Sequence, residues 1–169
     1  MGLLDLQAFL DRGGPVLLVI MFATFVMWAL ILERVFYFRF AHKQVAAEAI
    51  AEWRSRSDRK STFAHWIRDK LVSEVRMKAE QNVSLTKAMV SLAPLLGLLG
   101  TVTGMVAVFD VMAITNGADA KAMSAGVSRA TIPTMAGMVA SLSGILFTSG
   151  MDRRVARSVQ QVEDAMEIS

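Results

Sequence analysis

The 169-residue sequence contains no cysteine. That absence removes thiolate nucleophiles, thiolate metal sites and redox pairs together. Histidine is nearly absent: His42 and His65 are the two present, and both lie outside the apolar runs. Histidine-based metal catalysis therefore has no ligand set, and no cofactor is expected. Charge is scarce as well. Charged residues make up 20% of the chain against 54% hydrophobic, and the mean hydropathy is +0.44. The scarcity is segregated, because residues 13–32, 88–109 and 130–151 contain no Asp, Glu, Lys or Arg at all. Each run exceeds the roughly 18 residues at which an uncharged apolar stretch reads as a transmembrane helix. This pattern excludes a soluble enzyme, a disordered chain and a disulfide scaffold.

What is present fits an all-α membrane protein with three transmembrane helices that extend into cytoplasmic helices. The first span is expected over residues 14–32, with Pro15 near its start, where a missing N–H costs little. Phe36, Tyr37, Phe38 and Arg39 follow as an interfacial anchor of rings and a snorkelling cation. The N-terminal stretch lacks a basic region, so the first apolar run is expected to be retained rather than cleaved as a signal. The second span is expected over 88–114 and the third over 130–151, where Asp152, Arg153 and Arg154 end it.

Orientation follows from the basic residues. The segment 33–87 holds 12 Lys and Arg, the tail from Asp152 holds three, and the stretch before span one holds Arg12 alone. The positive-inside rule then places residues 33–87 and 152–169 in the cytoplasm. Residues 1–13 and the loop 115–129 are expected in the periplasm. The sequence pI near 9.6 is accounted for by these membrane-flanking cations, so no nucleic-acid partner is expected. The cytoplasmic segment reads as helix, with a polar turn over Ser55–Ser61. In the tail, Val155, Val159, Val162 and Met166 form one apolar stripe.

Spans two and three differ from the bulky first span, which reads as lipid-facing. Span two carries Ala93, Gly97, Gly100, Thr101 and Gly104 on one face, and span three carries Ala130, Thr134, Gly137, Ser141, Gly144 and Thr148 on one stripe. Small residues let membrane helices approach closely, so Gly97, Gly100, Gly104, Gly137 and Gly144 are candidate packing positions. The hydroxyls of Thr101, Thr134, Ser141 and Thr148 are candidates for a hydrated pathway. Packing and a pathway are compatible if several copies surround an axis. Neither span has an ionisable residue at mid-depth, which would be the default functional signal. A proton or ion carrier would have to come from another polypeptide. Asp110 and Arg129 sit near the outer ends of the two spans as candidate mouth charges. Pro133, in the first turns of span three, is expected to kink it. The Ser84–Lys87 pair matches a serine-hydrolase spacing without its supporting motifs, so no catalytic residue is assigned.

The run Ala93-Pro94-Leu95-Leu96-Gly97-Leu98-Leu99-Gly100-Thr101-Val102-Thr103-Gly104-Met105 resembles the A-P-x-x-G-L-x-G-T-V-x-G motif of the MotA/TolQ/ExbB proton-channel family. Gly126-Val127-Ser128-Arg129-Ala130-Thr131-Ile132-Pro133-Thr134-Met135-Ala136-Gly137-Met138 is similar to the family's third-span motif, and Leu32-Glu33-Arg34 also fits. The three-span plan is similar to ExbB and TolQ, and the short cytoplasmic segment resembles compact ExbB forms. The resemblance implies a homopentamer around a pore in the bacterial inner membrane. It implies an ExbD-like single-span partner carrying a pore Asp, and a TonB-like protein that the motor energises for outer-membrane transport. A TolQ-like envelope role and a non-conducting membrane scaffold are the alternatives. The family's lumen threonines correspond to Thr101 and Thr134. Arg129 stands where the family usually has Glu, and a ring of arginines would repel cations unless a ring of Asp110 offsets it.

The orientation is tested by reporter fusions. A reporter inserted near Arg59 is expected to behave as cytoplasmic and one near Gly117 as periplasmic; the reverse pattern overturns the assignment.

Overall fold

The structure, a computed structural model, describes residues 2–115 and 120–166, the side chains of residues 2–13 and Thr115 excepted. Residues 116–119 of the expected loop and 167–169 of the expected tail lie outside the described residues. Among the described residues five α-helices follow in order: α1 (Gly2–Phe36), α2 (His42–Arg54), α3 (Thr62–Glu80), α4 (Val83–Thr115) and α5 (Ala120–Ala165), with a π-helical turn at Tyr37–Ala41. No strand occurs among the described residues. Three helical stretches are long and apolar enough to cross a membrane, with mean hydropathies of 2.6, 2.0 and 1.5 in their best windows. The chain is an all-α, multi-pass membrane protein.

The helix bounds refine the expected segments. α1 is interrupted at Gly14, whose φ of 66° lies in the left-handed region that favours glycine. Residues 120–129, expected in a loop, are the first turns of α5; Ala120, Lys121, Ala122 and Met123 are strong helix formers. Span three and the C-terminal tail are one helix, which runs on through Pro133. A second break was not expected: α3 and α4 are separated at Gln81 and Asn82, and Asn82 takes a φ of 61°. Asparagine is among the few non-glycine residues that tolerate this conformation.

The chain divides into two compact units, residues 1–28 with 87–145 and residues 29–86 with 146–169. In the first, α1 buries Leu17, Ile20, Ala23 and Met27, while Leu18, Val19, Phe22 and Phe25 stay exposed. Span one therefore has an inward stripe and is not wholly given over to lipid. Burial needs only every third or fourth side chain, and bulky residues all around the helix hide that stripe in the sequence.

The second unit is organised by Arg34, which is 1% exposed. Its Nε and Nη2 each donate to the Glu33 carboxylate at 2.7 Å, and Nη1 donates to the Lys78 carbonyl at 2.9 Å and the Ala79 carbonyl at 3.4 Å. The guanidinium also lies 4.7 Å from the Tyr37 ring centroid. One side chain thus ties the end of α1 to the last turn of α3, whose orphan carbonyls attract a cation. Asn82 Nδ2 completes the cluster by donating to Glu33 at 3.5 Å. The turn between α2 and α3 is held by Asp58, which accepts from the Lys60 and Ser61 amides and the Ser61 hydroxyl. Ser61 then caps α3 by accepting from the Ala64 amide. These hydrogen bonds, the Ser61 hydroxyl foremost, hold the Asp58 carboxyl below its ordinary range. The tail stripe Val155, Val159, Val162 and Met166 is buried. Arg68 fastens the end of α5 to α3, donating to the Met166 carbonyl at 2.8 Å and the Glu163 carbonyl at 3.0 Å.

Arg34→Met is expected to destabilise the protein by about 1–3 kcal/mol, because two helix-end carbonyls and a carboxylate lose their shared donor. Arg34→Lys recovers part of this at most, since an ammonium cannot reproduce the fork. Arg39→Met, at an exposed position, is expected to change stability by less than about 0.5 kcal/mol. Thermal unfolding in one detergent checks all three.

Candidate functional site

In the first unit α4 and α5 run antiparallel at unusually close range, and glycines make the approach possible. A Cβ on Gly137 would collide with the Ala93 carbonyl oxygen, and one on Gly100 with the Pro133 ring. At Gly104 it would lie 2.7 Å from the Ala130 Cβ, and at Gly97 3.0 Å from both the Pro133 carbonyl and the Thr134 Cα. Gly144 meets Val90 and Met27 in the same way. All five glycines expected at packing positions therefore make contacts inside one chain. Gly126, noted in the sequence only for its motif, is a sixth: a Cβ there would strike Val108.

This approach brings the two threonines together. Thr134 Oγ1 donates to the Gly97 carbonyl at 2.9 Å, from α5 across to α4. Thr101 Oγ1 reaches the same carbonyl at 3.4 Å from its own helix, and the two hydroxyls are hydrogen-bonded to each other. Both residues remain partly exposed. One carbonyl and two hydroxyls thus form a compact node with several interchangeable donor arrangements. Thr101 holds the longer bond to Gly97, so its O–H is the one that can turn to another acceptor while Thr134 keeps the helices joined.

The other expected pathway residues fall elsewhere. Ser141 and Thr148 are each 6% exposed, and Thr148 belongs to the second unit. The structure does not gather the four hydroxyls into one open stripe. Still accessible are Thr103, bonded to the Leu99 and Gly100 carbonyls, and Thr131, bonded to the Ser128 carbonyl. A helical wheel drawn from the glycines would have shown Thr103 turning away from the seam. Asp110 and Arg129 are both exposed. Arg129 and Thr103 line a largely apolar cavity of about 660 Å³ with Gly14, Pro15, Gly100, Gly104 and Gly126, whereas Asp110 does not. Among the described residues no cluster of three His, Asp or Glu side chains could hold a metal ion.

Three apolar helices, a glycine seam and a paired hydroxyl node with no acid or base between them define an integral membrane protein held together by close helix packing. The MotA/TolQ/ExbB proton channel family matches residues 31–164, and the chain belongs to that family. Among its relatives is a Synechocystis protein named ExbB-like 1, 42% identical over 65 residues, which are 37% of this chain and 26% of that protein. Synechocystis ExbB-like 3 is 34% identical over 68 residues, 39% of this chain and 32% of that protein. The biopolymer transport protein ExbB of Helicobacter pylori is 28% identical over 83 residues, 49% of this chain and 57% of that protein. The alignments thus span less than two thirds of these relatives' length.

Gly137→Ala is expected to shift the α4–α5 packing and destabilise the protein by about 1–3 kcal/mol, because the added methyl meets backbone that cannot turn aside. Gly150→Ala, where a Cβ meets nothing within 4 Å, is expected to be neutral or slightly stabilising, as glycine is a poor helix former. Thermal midpoints of the two variants in one detergent separate these outcomes.

Proposed function

We propose that this chain is the ring-forming subunit of an ExbB-type motor in the bacterial inner membrane, with its N-terminus periplasmic and its C-terminus cytoplasmic. The ring is a homopentamer. An ExbD-like partner supplies, within its single span, the acid that carries the proton, and the motor drives a TonB-like protein for outer-membrane transport. The observation that carries this reading is the Thr101–Thr134–Gly97 node. It lies within the family match, in spans that have no ionisable group at mid-depth. The ExbB names of the relatives support this branch over TolQ.

The node can serve a partner's carboxyl group in both protonation states. A neutral acid donates its O–H to a threonine oxygen. A carboxylate needs a donor, and the Thr101 hydroxyl provides one by leaving its 3.4 Å bond to the Gly97 carbonyl. Thr134 meanwhile stays on that carbonyl. In a site of low dielectric such a hydrogen bond is stronger than in water. Arg129 and Asp110, near the outer ends of the spans, set the field that a proton meets on entry.

Thr101→Val keeps the shape and removes the hydroxyl that donates to the carboxylate, along with its bond to Thr134. One interhelical hydrogen bond in a membrane is worth about 0.5–1 kcal/mol, so the variant is expected to fold, oligomerise and hold its partner. A carboxylate deprived of a donor loses roughly 1–3 kcal/mol, or about one to two decades in rate if the bond forms in the limiting step. Proton-motive-force-dependent uptake at matched protein levels is expected to fall accordingly. Wild-type uptake by the Thr101→Val, Thr134→Val double variant would show that these hydroxyls only join helices, and would favour the scaffold.

A further inference from the structure

Helices α2 and α3 pack together across the turn at 55–61, and each leaves one face exposed. On α3 that face is bulky, and its Lys70 keeps an ion pair with Glu74 at 3.6 Å while remaining exposed. Phe63 is 64% exposed and Trp66 70%, and with exposed Lys70 they form one stripe at spacings of three and four residues. Lys60 is exposed at the turn just before them, while the Arg59 guanidinium is bound to the Arg54 and Arg56 carbonyls. On α2 the exposed face has a small strip edged by acids, with a cation at each end: Ala47 and Ala51 lie one turn apart, as do Glu48 and Glu52 beside them, and exposed Lys43 and Arg54 flank the strip. The α3 rings and the α2 alanine strip are opposites in size, and Lys60 and Lys70 are opposite in sign to the Glu48 and Glu52 that edge the strip.

Their heights also agree. α2 and α3 are antiparallel arms joined by one turn. Counted back from it at about 1.5 Å per residue, Phe63, Trp66 and Lys70 lie roughly level with Trp53, Ile50 and Ala46. That interval contains the Ala47–Glu52 strip. Copies related by rotation about one axis keep equal heights, so the α3 stripe of one copy meets the α2 strip of the next without a shift. A bilayer surface would satisfy the rings and cations of α3 but would leave the acids that edge the α2 strip unanswered.

We propose that Phe63 and Trp66 of each copy dock on the Ala47–Ala51 strip of the neighbouring copy, with Lys60 and Lys70 facing Glu52 and Glu48. The contact is head-to-tail and closes a ring in the cytoplasmic segment. It rests on the ring assembly proposed above and says which surfaces form it. Large rigid rings over small side chains, edged by opposite charges, are the composition of a well-packed interface core with a polar rim.

The absence of cysteine from the chain makes the test direct. Full-length Trp66→Cys and Ala51→Cys chains with different tags are expressed together in membranes and mildly oxidised. The expected product is the mixed-tag dimer, which only two copies in contact can form, in excess over both same-tag dimers; Phe63→Cys with Glu52→Cys is expected to behave likewise. Native mass measurement of the unmutated complex runs in parallel. An intact oligomer whose cysteine pairs give same-tag dimers or no dimer overturns this contact and leaves the ring standing. A monomeric complex overturns both. Ala51→Trp supplies a second reading: the bulky side chain on the small strip is expected to suppress the Phe63–Glu52 cross-link, and an unaltered cross-link in that background overturns the docking.

Discussion

The constraint on which the membrane half depends is the missing side chain of glycine where α4 meets α5. Gly137 faces the Ala93 carbonyl with no room for a methyl, and Gly97 faces the backbone of Pro133 and Thr134, where a methyl would fit only if the helices moved slightly apart. Without that approach the Thr134 hydroxyl could not reach a carbonyl on the other helix, and Thr101 and Thr134 would be separate residues on separate surfaces. The hydroxyl node is thus a product of close packing. In lipid, where the hydrophobic effect does little to pair helices, van der Waals contact of this kind is the main attraction available.

The same contact resolves a tension in the sequence. Small-residue faces on two spans fit both packing, the more common use, and a hydrated pathway. The structure uses the glycines for packing inside one chain and keeps two threonines at the edge of the seam, partly exposed. One face can carry both sets of residues because a helix offers different residues a few tens of degrees apart. The side of α4 and α5 turned away from the seam carries Leu95, Leu99, Val102, Met135, Val139 and Leu142, all exposed. These suit lipid or a neighbouring copy.

The second unit obeys a different rule. Arg34 is buried and fully engaged, with its partners supplied by the adjacent carboxylate and by the end of a distant helix. A buried guanidinium is tolerable only with such complete pairing, so the end of α1 and the end of α3 are bound to one geometry. Arg68 repeats the device at the end of α5. Two arginines that a positive-inside count treats as anonymous charges are structural clasps.

The all-α class, the three apolar helices, the polar turn at 55–61 and the family motifs were legible in the residue order, because each depends on local composition. The helical start of α5 at Ala120 and the break at Asn82 were less so. The first turned on where an apolar run was judged to begin, and the second on one residue's left-handed backbone. The Leu32-Glu33-Arg34 match marks Arg34, but nothing local says what it binds: its carbonyl partners lie 44 and 45 residues away. Nothing local says that Thr101 and Thr134, 33 residues apart, share the carbonyl of Gly97. Hydropathy and charge sign act residue by residue, so the sequence alone determined which segments leave water. Hydrogen bonds and steric contact depend on distances between remote residues, so only the tertiary structure decided which glycines touch, which arginines are buried and which hydroxyls meet.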